Sequence, residues 1–169
     1  IESGVSPEHI AVLYRANFQS RVLEDAFLAF GVDYQMLGTK FFERKEVKDV
    51  VSFIKASLNT DSTTDLMRII NIPPRGIGKT TISKIIEGKE AELPEKTKEK
   101  LAEFKRLLLQ IKDALLTQKT SEAIKFVIKV TGMEDLYSTG QEEDIERLEN
   151  IMELVSLASI YDENTPEEG

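Results

Sequence analysis

Between residues 43 and 161, apolar residues recur with the spacing of an α-helix in one segment after another. In the first segment, Val47, Val50 and Ile54 fall on one face, because residues three and four positions apart are neighbours on a helix. Glycine or proline borders several of these segments and marks where a helix begins or ends. The pattern predicts a mainly α-helical, bundle-like fold, with helices over residues 43–58, 62–71, 80–88, 94–118, 121–132 and 142–161.

A different pattern precedes these helices. Residues 9–15 (HIAVLYR) and 32–37 (VDYQML) are short apolar runs typical of buried strands. The helix expected between them has Asn17 as its cap and ends at Gly31. This order predicts a β-α-β unit with parallel strands. Because one such unit cannot bury its own faces, we expect it to be a piece of a larger α/β sheet.

The composition excludes several kinds of site. The 169 residues contain no cysteine, which excludes disulfides and thiolate metal sites, and a single histidine, His9, which excludes a zinc site built from histidines. The sequence has no membrane-spanning run and no signal-peptide pattern, so we predict a cytoplasmic protein without a membrane partner. Because the first residue is Ile1, we expect the chain to be a piece of a longer protein.

The net charge of −8 is unevenly distributed along the chain. Residues 40–89 carry ten Lys/Arg against six Asp/Glu, whereas residues 132–169 carry one Arg against twelve Asp/Glu. The local field decides where a polyanion docks. The basic part of the chain is therefore compatible with nucleic acid despite the overall negative charge.

The segment PRGIGKTT, residues 74–81, contains the Gly-Lys-Thr letters that end a nucleotide-binding P-loop. A P-loop needs a glycine five positions before Gly78, where this chain has Pro73, and it needs a preceding strand, where this chain predicts a helix. The segment therefore does not predict an ATP site.

The same residues are compatible with a turn between two helices. Pro73 ends the first helix, and Gly76 and Gly78 adopt backbone angles closed to other residues. The second helix begins near Lys79, and its unpaired N–H groups suit phosphate oxygens. The alternative is an ordinary helix connector that binds nothing. The residues alone leave both interpretations open.

Three motifs in this order and spacing resemble a known family. They are LYRANFQSR (13–21), FFERKEVKD (41–49) and PPRGIG (73–78), and they resemble the C-terminal half of the UvrD/PcrA/Rep helicases of superfamily 1. The resemblance implies a partial RecA-like 2A segment over residues 1–38 and a helical 2B subdomain over residues 39–161. It implies that residues 75–80, called the GIG turn below, form a hairpin of the helix-hairpin-helix kind that grips duplex DNA. We expect residues 162–169 to be an acidic, disordered tail.

The resemblance implies a function for the parent protein, ATP-dependent 3′-to-5′ DNA unwinding with ATP and Mg²⁺ as cofactors. The family's P-loop, acidic Mg²⁺ motif and later arginine motifs have no counterpart in these 169 residues. We therefore expect this chain to hold no cofactor and not to hydrolyse ATP alone, and to contribute duplex binding and regulation of unwinding. The implied partners are duplex DNA, the single-stranded junction, the remaining helicase subdomains and repair or replication proteins.

The predicted site residues form two sets, with no catalytic residue and no metal ligand among them. The alternative for the second set is helix capping and ion pairing, and the alternative function for the whole chain is a helical module that docks a protein partner. We expect Phe41 and Phe42 in the core rather than stacked on bases. The duplex-backbone set is Arg75, Gly76, Ile77, Gly78, Lys79 and Thr80; the set for DNA or interdomain contact is Arg15, Asn17, Gln19, Ser20, Arg21, Arg44, Lys45 and Lys48.

Overall fold

The computed structural model describes residues 5–36 and 39–163. Within these ranges the chain is helical and contains no strand. None of the helices in the described ranges is long and apolar enough to cross a membrane. The helices are α1 (Ser20–Ala29), α2 (Lys45–Leu58), α3 (Thr63–Ile69), α4 (Lys79–Ile86), α5 (Glu95–Thr117), α6 (Thr120–Thr131), α7 (Met133–Tyr137) and α8 (Glu142–Ser159), with 3₁₀ turns at Pro7–His9, Asn17–Gln19, Phe41–Glu43 and Glu90–Glu92.

The core lies among four of these helices. α2 packs on α5 and α8, and α6 packs on α5 and α8, so that their apolar faces meet in one bundle. The fully buried side chains at this meeting point include Phe53, Ile111, Val127 and Ile151, one from each helix. The prediction of a mainly α-helical, bundle-like fold is confirmed.

Two details of the bundle follow from local chemistry. Gly132 adopts a left-handed conformation, with φ of 81°, and ends α6 while α7 begins at the next residue. The side chain of Asp162 accepts hydrogen bonds from the backbone and hydroxyl of Ser121, at 2.8 and 2.7 Å. The first residue of the predicted disordered tail is therefore anchored to the start of α6, and residues 164–169 lie outside the described part.

Of the predicted β-α-β unit, only the helix is present in the described residues. α1 forms and ends before Gly31, whose φ is 62°. Residues 10–14 and 32–36 have no regular secondary structure, so the prediction of two strands is wrong for the described residues. A strand exists only through hydrogen bonds to a neighbouring strand, and the described chain offers none. Leu37 and Gly38, at the end of the second expected strand and at the proposed boundary, lie outside the described residues.

Candidate nucleic-acid interface

The GIG turn connects α3 to α4. α3 ends at Ile69, the Ile72–Pro73 peptide is cis, and α4 begins at Lys79. Ile77 in the middle of the turn is 2% exposed and belongs to the main core cluster. The turn is therefore fastened to the bundle by an apolar side chain.

Asn71 fixes the path of the backbone through the turn. Its side-chain oxygen accepts a hydrogen bond from the backbone N–H of Arg75 at 2.7 Å and from that of Ile77 at 3.4 Å. An asparagine side chain that takes the place of a backbone acceptor is typical of tight turns. Asn71 was not predicted as a site residue, because its position two residues before a pair of prolines indicates that a helix ends there but not where the side chain points.

The two glycines of the turn have different roles. Gly76 has φ of 68°, and a Cβ built on it would lie 2.8 Å from Nζ of Lys100. Gly78 has φ of −79°, and its added Cβ would meet nothing closer than Thr80 Oγ1 at 4.0 Å. The expectation that both glycines need angles closed to other residues is correct for Gly76 and wrong for Gly78. A ligand could therefore approach the backbone of Gly78 without meeting a side chain.

The start of α4 presents free backbone donors. Gly78 is the N-cap residue, so the N–H groups of Lys79 and Thr80 have no preceding helical carbonyl to bind. The carbonyl of Gly78 accepts from Thr81 and Ile82, at 3.0 and 3.2 Å. Donors of this kind, at the positive end of a helix dipole, bind anions.

Lysines supply positive charge beside the turn. The Nζ of Lys100, on α5, lies close to Gly76, and no described carboxylate pairs with it. Lys84 on α4 pairs with Glu92 at 3.5 Å, which reduces its availability to a ligand. The side chain of Lys79 is outside the described part of the chain. Lys100 was not predicted because it is far from the turn in sequence, and only the packing of α5 brings the two together.

Arg75 does not point outward to join these lysines. Its guanidinium donates hydrogen bonds to the carbonyls of Ile72, Pro73 (3.2 Å) and Thr131 (3.4 Å). It also lies over the rings of Phe53 and Phe104, 5.8 and 5.5 Å from their centroids. Burial lowers the pKa of this guanidinium. The phosphate contact of Arg75 stays a prediction, and the structure gives its side chain partners within the chain.

The second predicted set is partly buried at the junction between α1 and the bundle. Ser20 Oγ accepts a hydrogen bond from Arg44 Nη2 at 2.9 Å, and Arg21 forms ion pairs with Asp25 at 2.6 Å and Glu153 at 2.7 Å. These contacts join residues 20 and 21 to α8 and to the start of α2. The side chains of these three residues thus have partners within the chain, of the kind that the alternative of capping and ion pairing describes, and their contact with DNA or another subdomain stays a prediction.

The remaining members of the second set are not brought together. Gln19 accepts hydrogen bonds from the backbone N–H groups of Arg15 and Ala16, at 3.2 and 3.1 Å, which is a local capping contact. Lys48 pairs with Glu43, and this lysine keeps the pKa of Glu43 below its usual range. Lys45 is exposed. The side chain of Asn17 lies outside the described part.

The two adjacent phenylalanines have different environments. Phe41 is 1% exposed and packs in the core, with its ring 5.0 Å from that of Phe42 and the Arg44 guanidinium above it. Phe42 is half exposed. The expectation of burial is therefore correct for Phe41 and wrong for Phe42, because the 3₁₀ turn over Phe41–Glu43 points successive side chains in different directions.

The comparison with known proteins decides the family. The model of the UvrD-like helicase C-terminal domain matches residues 2–169, almost the whole chain. The chain belongs to this family. The resemblance inferred from the three motifs is therefore confirmed.

Curated relatives of this UvrD-like domain carry a helicase name. An ATP-dependent DNA helicase PcrA of Staphylococcus epidermidis is 33% identical over 97% of the chain. The protein of the same name from Staphylococcus aureus is 31% identical over 97% of the chain. In both comparisons the chain spans 25% of the relative's length.

Proposed function

We propose that this UvrD-like domain is part of an ATP-dependent 3′-to-5′ DNA helicase and that its GIG turn binds the backbone of duplex DNA. The observation that carries the proposal is the anchored turn that leads into the free N–H groups of α4. Backbone donors bind phosphate without reading a base, so binding is independent of sequence. By holding the duplex, this contact regulates unwinding by the rest of the protein.

The rigidity of the turn supports this proposal. Ile77 is buried in the core, and Asn71 holds two backbone N–H groups of the turn in place. Donors held in position before the ligand arrives lose little conformational freedom on binding. An unanchored connector would have to order itself at a cost that weak phosphate contacts do not offset.

The local charges also support the GIG turn as the DNA-binding site. The first turn of α8 carries Glu142, Glu143 and Asp144, whereas Lys100 lies beside the GIG turn. Phosphate is repelled by the first group and attracted by the second. The net charge of −8 keeps the affinity low, within or below the non-specific range on the order of 10⁻⁴–10⁻⁶ M.

The turn does not fit ATP. Pro73 occupies the position of the first P-loop glycine, and the residues before it form α3 rather than a strand. We propose that ATP and Mg²⁺ are bound by the other parts of the helicase, and that a cytoplasmic location follows from its work on DNA. Repair or replication proteins remain proposed partners of the whole protein.

We propose that the N-terminal segment contacts the remaining helicase subdomains. Leu13 is 93% exposed and Phe30 is 84% exposed, and Leu28 is also largely exposed. Large apolar side chains clustered in one exposed segment mark a protein contact. The ion pair of Arg21 with Glu153 would then transmit the position of this segment to α8.

A salt titration tests the proposal. Binding of a fluorescently labelled duplex of mixed sequence is measured by anisotropy between low and physiological salt. We expect affinity to fall steeply with salt, and Lys79→Ala to reduce the slope by about one unit because it removes one phosphate contact. Lys112→Ala, an exposed lysine on α5, is the matched control and should leave the slope unchanged. Absence of salt-dependent binding would favour the protein-docking alternative.

A further inference from the structure

The Arg75 guanidinium lies against the segment that leads from α3 into the GIG turn. It donates to three carbonyls of the turn region, those of Ile69 (3.4 Å), Ile72 and Pro73 (3.2 Å). It also donates to the carbonyl of Thr131, the last residue of α6, at 3.4 Å. A single planar group therefore binds the chain on the α3 side of the turn and connects it to the end of a core helix.

This cation is neutralised by no carboxylate in the described part of the chain. Its partners are backbone carbonyls and the faces of Phe53 and Phe104, at 5.8 and 5.5 Å. Carbonyl dipoles and aromatic faces stabilise a guanidinium without cancelling its net charge. The first residue of the turn therefore buries a positive charge, which is unusual in a connector whose only task is structural, because an apolar side chain would fill the space without desolvating a charge.

We infer that Arg75 is a positioning residue for phosphate binding: it fixes the carbonyls of Ile69, Ile72 and Pro73 so that the amides of the GIG turn, which follows them, are held in place. The inference rests on the proposed function and changes the role that the sequence suggested for this arginine. Arg75 acts through the segment before the turn, and the phosphate is bound by backbone N–H groups and lysines. The five donors of a guanidinium suit this task, and the compact ammonium of lysine does not.

Two variants of Arg75 and one control separate this role from simple stabilisation. Arg75→Lys keeps the charge and loses the planar fork, and Arg75→Met keeps the bulk and loses both. Arg68→Met is the control, because Arg68 is also half buried and also joins two elements, through Asp49 at 2.7 Å on α2. Each variant is measured for duplex affinity, for the salt slope of that affinity, for thermal unfolding and for amide hydrogen exchange at residues 76–82.

We expect Arg75→Met to weaken duplex binding about tenfold, consistent with the loss of charge-assisted hydrogen bonds, with the salt slope kept near wild type. Arg75→Lys should lie between wild type and Arg75→Met, and Arg68→Met should lower the unfolding temperature without this loss of affinity. Exchange at residues 76–82 should be faster in Arg75→Met than in Arg68→Met.

Three results would overturn the inference. Equal loss of affinity in Arg75→Met and Arg68→Met would show a general effect of stability, and a salt slope lowered by about one unit in Arg75→Met would show a direct phosphate contact. Unchanged exchange at residues 76–82 would show that Arg75 does not hold the turn. Failure of the wild-type chain to bind duplex would refute the proposed function. The exchange measurement needs no DNA, so it would still show whether Arg75 holds the turn in place.

Discussion

The side-chain oxygen of Asn150 accepts a hydrogen bond from Arg44 Nη1 at 2.6 Å, deep between α2 and α8. The nitrogen of the same amide donates to Glu46 Oε1, also at 2.6 Å. Asn150 is 2% exposed, so one buried amide bridges a cation and an anion that are two residues apart on the other segment. Ser20 completes the network by accepting from Arg44.

Replacing Asn150 with leucine should destabilise the fold strongly. The change keeps the volume but removes the amide that binds both Arg44 and Glu46, and the loss of a buried hydrogen-bond partner costs about 1–3 kcal/mol, with more for charged groups. Urea unfolding followed by circular dichroism measures the loss. Glu149→Leu, at the neighbouring exposed position, is the control and should change stability by less than about 0.5 kcal/mol. Equal effects at the two positions would show that the network does not contribute.

Alanine at the two glycines of the GIG turn should have different effects on stability and on duplex binding. Gly76→Ala should cost about 1–2 kcal/mol, because its φ of 68° is strained for a residue with a Cβ. Gly78→Ala should cost less, about 0.5 kcal/mol, and should weaken duplex binding by covering an approach to the backbone. Thermal unfolding and anisotropy on the same samples measure both effects. Greater destabilisation by Gly78→Ala would contradict the geometry described for the turn.

Lys100→Ala should weaken duplex binding more than Lys112→Ala. Both lysines lie on α5, but only Lys100 has its ammonium beside Gly76, and twelve residues of helix separate the two positions by about 18 Å. The expected reduction of the salt slope is about one unit for Lys100→Ala and near zero for Lys112→Ala. If both substitutions lower affinity equally, DNA responds to total charge rather than to the turn.

The buried carboxyl of Asp49 should make stability depend on pH. Asp49 is 0% exposed, and although Arg68 binds one of its oxygens, its other oxygen has no hydrogen-bond partner in the described ranges. Burial raises the pKa of Asp49 above its usual range. The folded state therefore binds this proton more tightly than the unfolded state does. Stability from this group is present at acid pH and is lost as pH rises from the ordinary aspartate value, about 3.9, through the raised folded pKa.

Urea unfolding of the wild type and of Asp49→Asn across this pH range tests the sign. The wild type should lose stability relative to Asp49→Asn as pH increases. Tyr137 does not confuse the comparison, because burial and the nearby Asp49 raise its pKa to about 12. Asp113→Asn, at an exposed aspartate, is the control and should run parallel to wild type. A relative gain of wild-type stability with rising pH would reverse the assignment.

This domain alone should not hydrolyse ATP. Pro73 replaces the P-loop glycine, and α3 replaces the strand that a P-loop follows. Phosphate release measured with and without single-stranded DNA should equal the buffer rate. Turnover that disappears on Lys79→Ala would contradict this expectation.

The N-terminal segment should exchange its amide hydrogens faster than the bundle. Residues 10–14 and 33–36 donate no backbone hydrogen bond to another described residue. Exposed amides without partners exchange at nearly the rate of an unfolded chain. Exchange measured by mass spectrometry on peptides from residues 5–36 and from α5 compares the two parts. Slow exchange over residues 10–14 would show that the segment has found partners that the structure does not contain.

The helices could be predicted from the sequence because each of them repeats an apolar face. The ends of α2, α5 and α8 fall within two residues of the predicted ends. α7 was missed because five residues are too few to show a period. The strands were predicted from apolar runs, but a run alone does not supply the neighbouring strand that makes it part of a sheet.

The position of the candidate site along the chain could be predicted from the sequence, but its side-chain contacts could not. The glycines and prolines of residues 73–78 show a turn between helices, and the following lysine and threonine show a helix start. The resemblance and the positive charge of Arg75 led to its prediction as a DNA contact, whereas its side chain turns inward to carbonyls that include that of Thr131. Such a contact, like that of Lys100 with the turn, depends on how distant helices pack, and no local pattern encodes it.

The most direct test of the central claim is an NMR titration of the isotopically labelled 169-residue chain with a duplex that carries a single-stranded end. The account predicts that the largest shifts of backbone amide signals fall on residues 76–82, with a smaller effect near Lys100, and that they disappear at high salt. Shifts confined to the N-terminal segment or to α8, or no shifts at low salt, would contradict the claim that the GIG turn binds the duplex backbone.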